Sequence, residues 1–171
     1  MRRLKTKELA VASILGGLSA LCEVYPAPPF DIPFPLMQKI TWDFTGIPIM
    51  LSLLLCNPLS AIYTCFVGCS IIYLRGNNPG WFFKITAELS TVIGFAIFRK
   101  NIIFDTLKAI VCRVVVMTIV NYYGLQLFYS IPREVVLNLL PPIAIFNITQ
   151  ALINIVPAYM VFLRVKSLGK I

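Results

Sequence analysis

Apolar residues run along this chain in long unbroken blocks, each closed by a short polar or proline-bearing stretch. The blocks span Glu8 to about Val24, Gly46 to Cys56, Leu59 to Leu74, Trp81 to Phe98, Thr106 to Leu127 and Leu139 to Leu163. Each is too long and too uniformly apolar for the two-residue alternation of a half-buried strand, so each predicts a helix. Most approach the roughly 20 residues that a helix needs to cross a bilayer; the second, Gly46 to Cys56, is short. Between the first two lies a segment from Tyr25 to Thr45 with five prolines, which excludes a continuous helix there. Arg75-Gly-Asn-Asn-Pro-Gly80 reads as a turn, Ser130-Ile-Pro-Arg-Glu134 as a loop, and Pro157 as a kink inside the last helix.

Composition turns six apolar helices into a membrane reading. Hydrophobic residues make up 58% of the 171 and charged ones only 13%, against about one half and one quarter in ordinary soluble domains. No linker or fixed-period repeat divides the chain, so residues 1–171 are expected to form a single transmembrane domain. The net charge of +8 does not point to nucleic acid, because the basic residues gather at segment ends. With both termini in the cytoplasm, Arg2, Arg3, Lys5, Lys7, Arg99, Lys100, Lys108, Arg164, Lys166 and Lys170 lie inside, and Lys39, Arg75, Lys84 and Arg133 outside. That bias satisfies the positive-inside rule for an even number of spans. The expectation is an all-α integral membrane protein: a six-helix bundle, multi-pass in the cell membrane. The basic start resembles a signal peptide, but hydrophobic runs continue to the C-terminus.

Several chemistries drop out. There is no histidine and no CxxC, and the five cysteines are scattered through apolar runs, so metal sites are not expected and the cysteines read as packing residues. No phosphate loop, Walker motif or set of paired carboxylates occurs. The chain is expected not to be an enzyme and to have no cofactor.

What remains is a set of polar residues inside apolar helices, which lipid makes costly unless they face protein or a watery cavity. Helical rise places Glu88, Asn121, Asn147 and Gln150 in the outer half of their spans. Asn147, Gln150 and Asn154 share one face of the last helix. A pocket open to the outside would need such a set; interhelical amide bonds are the competing explanation. Glu88 could pair with Lys84 one turn away, and Arg113, two turns from the inner end, could snorkel to the headgroups. On the first helix Ala12, Gly16 and Ala20 form a small-residue strip, suited either to the bundle's own packing or to docking a second membrane protein.

Four segments resemble the substrate-binding S-components of energy-coupling factor (ECF) vitamin transporters, especially the riboflavin-specific, RibU-type branch. Trp42-Asp-Phe-Thr-Gly-Ile-Pro48 is similar to the family's Asp-Phe-Ser-Asp-Ile-Pro, and Asn57-Pro58-Leu-Ser-Ala61 to the Gly-Pro-x-x-Gly that follows it. Val116-Met-Thr-Ile-Val-Asn-Tyr-Tyr123 resembles Met-Thr-x-x-Asn-Tyr-Phe, and Ile145-Phe-Asn-Ile-Thr-Gln150 resembles Pro-Phe-Asn-x-x-Lys. The resemblance implies a six-helix bundle that binds a vitamin at its extracellular side and topples to deliver it. The implied partners are a transmembrane scaffold (T) subunit, met by the first helix, and a pair of cytosolic ATPases. It implies riboflavin or a related flavin as the transported ligand, with Asn121 and Asn147 at flavin-contacting positions. Trp42, Phe44 and Asp43 of the first motif and Glu88 and Gln150 complete the expected site. Two positions depart from the pattern: Gln150 stands for a lysine, and Gly46 for the motif's second aspartate. Another vitamin or modified base as cargo, and a membrane assembly protein with no ligand, are the alternatives.

Overall fold

The structure, a computed structural model, describes residues 5–24 and 31–169. Six helices and one hairpin follow each other as α1 (Thr6–Val24), β1 (Asp31–Phe34), β2 (Met37–Asp43), α2 (Gly46–Leu55), α3 (Pro58–Leu74), α4 (Asn78–Ala96), α5 (Ile102–Tyr129) and α6 (Arg133–Ser167). The number of helices is as the apolar blocks predicted. Their short connections make them run alternately up and down. The hairpin, the α3–α4 turn and the α5–α6 link therefore share one end of the bundle, and the start of α1 and the end of α6 lie at the other. Lys5, Lys7, Arg99, Lys100, Lys108, Arg164 and Lys166 lie towards that other end; Arg2, Arg3 and Lys170 fall outside the described residues.

Asparagine caps set three helix starts. Asn57 accepts from the Ser60 amide at 3.0 Å, Asn77 from Gly80 at 3.0 Å and Asn101 from Phe104 at 2.8 Å. Each bond satisfies an amide that the first helical turn would leave bare, and prolines follow Asn57 and precede Gly80 where the helix needs no donor. The caps start α4 three residues, and α5 four residues, before the positions read from apolarity alone. Helix α6 is also longer at both ends and includes Pro141 and Pro142 within it.

The segment read as a loop ends in an antiparallel hairpin in which Asp31 faces Asp43, Ile32 faces Trp42 and Pro33 faces Thr41. Pro33 is tolerated because a two-stranded sheet is all edge, so its missing donor breaks no inner ladder. Residues 25–30 of that segment lie outside the described ones.

The core lies where α2 is wrapped by α3, α4 and α6, around Ile49, Met50, Leu53, Cys65, Val92, Phe95 and Ile155. The outer surface is also apolar. On α5, Ile103, Leu107, Val111, Val115 and Ile119, four residues apart, are each more than half exposed. Such a ladder suits lipid rather than water. Among the described helices α6 alone is both long and apolar enough to cross a membrane by those measures; α2 and α3 are apolar but shorter. At 10 residues, α2 is about 15 Å long, half the hydrocarbon thickness.

Candidate functional site: a polar cavity at the hairpin end

Helices α4, α5 and α6 meet around a buried ion pair. The guanidinium of Arg113 (2% exposed) donates from Nη1 to Glu88 Oε1 at 3.1 Å and to Thr91 Oγ1 at 2.9 Å, and from Nε to Asn147 Oδ1 at 3.0 Å. The other oxygen of Glu88 accepts from Asn154 Nδ2 at 2.9 Å, and Asn154 Oδ1 accepts from Gln150 Nε2 at 2.9 Å. Gln150 then joins the hairpin to α6: its Nε2 donates to the Asp43 carbonyl at 2.8 Å, and its Oε1 accepts from the Asp43 amide at 3.2 Å. A buried charge is tolerable only with this degree of pairing.

Glu88 thus pairs with Arg113 rather than with Lys84, the partner the sequence allowed, and Arg113 is buried instead of snorkelling to the headgroups as it could have done. The Asn101 cap starts α5 at Ile102, so Arg113 lies about three turns into its helix rather than two, level with Glu88. A salt bridge across helices results.

Lys84 is engaged elsewhere, nearer the hairpin. Its Nζ lies 2.5 Å from Asp43 Oδ2 and 3.3 Å from Glu23 Oε1, joining α4 to the hairpin and to α1. Thr45 extends the cluster: its amide donates to Asp43 Oδ1 at 3.0 Å and its hydroxyl to Glu23 Oε1 at 2.7 Å. Burial pushes the Asp43 carboxyl up, but Lys84 and the Thr45 donors outweigh it and hold the group below the usual carboxylate range. Asp31, across the hairpin, is pushed up by burial and then by the Asp43 and Glu23 charges.

Between these two clusters lies a cavity of about 800 Å³, within the range of small-molecule sites. Arg113 and Asn147 form its floor; Phe83, Met117, Ile143 and Phe146 supply apolar walls; Glu23, Asp31, Asp43 and Lys84 lie towards the hairpin. Asn121 lines the wall two turns along α5 from Arg113 and donates to its own helix at Met117 O, 2.7 Å away.

Of the residues expected at a site, Asn121, Asn147 and Asp43 line this cavity. Glu88 and Gln150, both 0% exposed, stand behind its floor and are not among its lining. Both are there because Arg113 and the Asp43 backbone lie between them and the space. Trp42 does not face the cavity either: its Nε1 donates to Thr149 Oγ1 at 2.8 Å, and its ring meets Phe34 edge-on at 5.2 Å. Phe34 in turn packs on Phe146, so Trp42 supports the wall from behind. Phe44 is half-buried and outside the lining.

Gly46 explains one departure from the family pattern. A Cβ there would collide with the Asn154 side chain, which holds Glu88 and Gln150. The small-residue strip of α1 is likewise occupied: Ala12 is fully buried, and a Cβ on Gly16 would come within 2.9 Å of Val67 on α3. Ala12 and Gly16 are thus used in the bundle's own packing, and Ala20 is half-buried. Sequence reasoning missed Arg113, Phe83, Phe146 and the Glu23–Lys84–Asp43 cluster. The Asn caps, read as such, would have placed Arg113 level with Glu88.

Comparison with known proteins gives the same architecture. No curated protein sequence matches the chain. The fold matches that of the S component of a bacterial ECF transporter, with a TM-score of 0.80 over 98% of this chain and 100% of the other at 21% identity. Residues 7–162 match the profile of the ECF transporter substrate-specific component. This chain therefore belongs to the family of substrate-specific components of ECF transporters, membrane proteins that bind cargo for transport and are not enzymes.

Proposed function

We propose that this protein captures riboflavin, or a closely related flavin, from outside the cell and releases it inward with the help of a scaffold subunit and cytosolic ATPases. The observation that supports this reading most is the cavity of about 800 Å³ in which Asn121 and Asn147 project between aromatic and aliphatic walls. A flavin is a broad apolar ring system with one edge of alternating donors and acceptors, which an amide can match. Phe83 and Phe146 give the ring apolar surfaces. In this reading the bundle crosses the membrane several times with the hairpin end outside. The basic end, with Arg99, Lys100, Arg164 and Lys166, faces the cytoplasm. The chain has no ATP-binding motif, so the energy comes from partners.

The side of α1 left for the scaffold is the one with Ser13 and Gly17. Gly17 has nothing within 4 Å of a built Cβ, whereas Ala12 and Gly16 are covered by α3.

Titration of the purified protein with riboflavin, followed by quenching of flavin fluorescence, tests the cargo. About one equivalent should bind tightly. No binding at micromolar riboflavin would remove the flavin, and mass spectrometry of the small molecule carried through purification would then identify another vitamin or modified base.

A further inference from the structure

Arg113 is not used up by its partners. Its Nη1 and Nε groups are bonded to Glu88, Thr91 and Asn147, but among the described residues Nη2 has none, although the side chain is 2% exposed and lines the cavity floor. A guanidinium keeps its charge and its planar fork of donors in any protein. Three bonds to α4 and α6 fix the plane of this one, so the remaining donor is held in place before a ligand arrives.

The surroundings select what it can bind. Glu88 neutralises Arg113 directly behind the floor. The other charged lining groups are three acids (Glu23, Asp31 and Asp43) and three bases (Lys39, Arg75 and Lys84), so the site as a whole is balanced. A ligand carboxylate gains little from an arginine already paired with Glu88, and the balanced charges towards the hairpin offer it no net attraction. A cationic ring meets the guanidinium itself. A neutral carbonyl oxygen takes the free donor at no electrostatic cost.

We infer that Arg113 is a specificity-determining residue, donating from Nη2 to an uncharged ring carbonyl of the cargo at the cavity floor. This deepens the flavin reading and rests on it for the choice of probe. It also gives the departure at Gln150 a physical meaning: the cation at the base of the site comes from α5 rather than α6, and Gln150 is free to hold the hairpin backbone.

The test compares wild type with Arg113→Lys, which keeps a cation beside Glu88 but loses the fork. Unliganded thermal unfolding reports whether the variant folds; if it does not, Arg113→Gln combined with Glu88→Gln, which removes both charges together, takes its place. Riboflavin affinity should fall roughly 10- to 100-fold, as for the loss of one charge-assisted bond. The probes that separate recognition from general damage are 2-thio- and 4-thioriboflavin, in which sulfur, a weak acceptor, replaces one ring carbonyl oxygen. Wild type should discriminate against one of them and the variant should not. Unchanged riboflavin affinity overturns the proposal, as does weakened binding that keeps the full preference against the thio analogue. If wild type binds no riboflavin, the flavin reading falls, and the same variant is compared with biotin, whose ureido ring carries a neutral carbonyl, and thiamine, whose rings carry none. Biotin binding that depends on Arg113 retains the role of this residue; binding independent of Arg113, or binding of neither vitamin, overturns it.

Discussion

The cavity lies between two ion-pair clusters built on different terms. At the floor, Arg113 and Glu88 are 2% and 0% exposed, one cation to one carboxylate, with neutral side chains of α4 and α6 bonded to both and, among the described residues, only Nη2 of Arg113 left open to the cavity. Nearer the hairpin, Lys84 serves Glu23 and Asp43 at once, with Asp31 close by, and the side chains of the bridged residues keep 12–14% of their exposure. The floor joins three long helices, of which α5 packs extensively on both α4 and α6. The hairpin cluster attaches a two-stranded ribbon, which has little core of its own, to the bundle. The first arrangement fixes the shape of a site. The second holds a cover by a few contacts that water and ligand can reach.

The floor should therefore respond to mutation globally. Glu88→Ala leaves the Arg113 charge buried without its counterion and takes the acceptor from Asn154, so it is expected to cost about 3–5 kcal/mol. Thermal unfolding in detergent would measure it. Adding Arg113→Met should recover part of that loss, because the two residues are coupled and their costs do not add. If Glu88→Ala unfolds at the wild-type temperature, the floor is not the fixed element and the contrast between the clusters disappears.

Gly46→Ala tests the same network from the side of the backbone. The new methyl displaces Asn154 from Glu88 and Gln150, and overpacking of this kind costs about 1–3 kcal/mol. Unlike the loss of Glu88, it should be eased by a smaller side chain at the collision. Gly46→Ala with Asn154→Ala is expected to unfold above the sum of the two single effects, and strict additivity would count against the contact.

How much of this was legible in the sequence depended on range. The six helices followed from apolar runs, and the depth of Asn121 and Asn147 followed from helical rise. Asn57, Asn77 and Asn101 carried further information, since capping is a local interaction within four residues. Missing two of those caps moved Arg113 by a turn and hid its pairing with Glu88. The hairpin was obscured by prolines, although Ile40, Thr41 and Trp42 have the branched and aromatic side chains that strands favour. The contact of Gly46 with Asn154 joins residues far apart in the chain and depends on how closely α2 approaches α6. No local pattern encodes that distance.

Lys84→Ala should act locally where Glu88→Ala acts globally. It removes the cation between Glu23 and Asp43, and with partial access of water the cost is about 1–2 kcal/mol. Hydrogen exchange should speed up at the amides of Asp31–Phe34 and Met37–Asp43 and stay unchanged in the middle of α4, α5 and α6. Faster exchange throughout the bundle would mean that the hairpin cluster is as integral as the floor.

The smallest effect concerns Asp31, and its sign is set by linkage. Burial, reinforced by Asp43 and Glu23, raises its carboxyl above the unfolded value, which is about 3.9. The folded state then holds its proton more tightly than the unfolded chain, so stability falls as pH rises through the window from that value to the raised folded one. Above the window the ionised Asp31 weakens the hairpin; below about 3.9 it is protonated in both states and has no effect. Asp43 works the other way. Its lowered folded value gives stability that is present above about 3.9 and is lost as pH falls through the lowered folded value. Asp31→Asn is therefore expected to slow hairpin exchange slightly at pH 7, by the equivalent of about 0.5 kcal/mol or less for a group this open to water. The gain should vanish as the pH approaches 4, while the dependence on Asp43 persists below it. A gain that does not change with pH would assign the effect to the amide's own hydrogen bonds rather than to the removal of a charge, and would leave Lys84 balancing only Glu23 and Asp43.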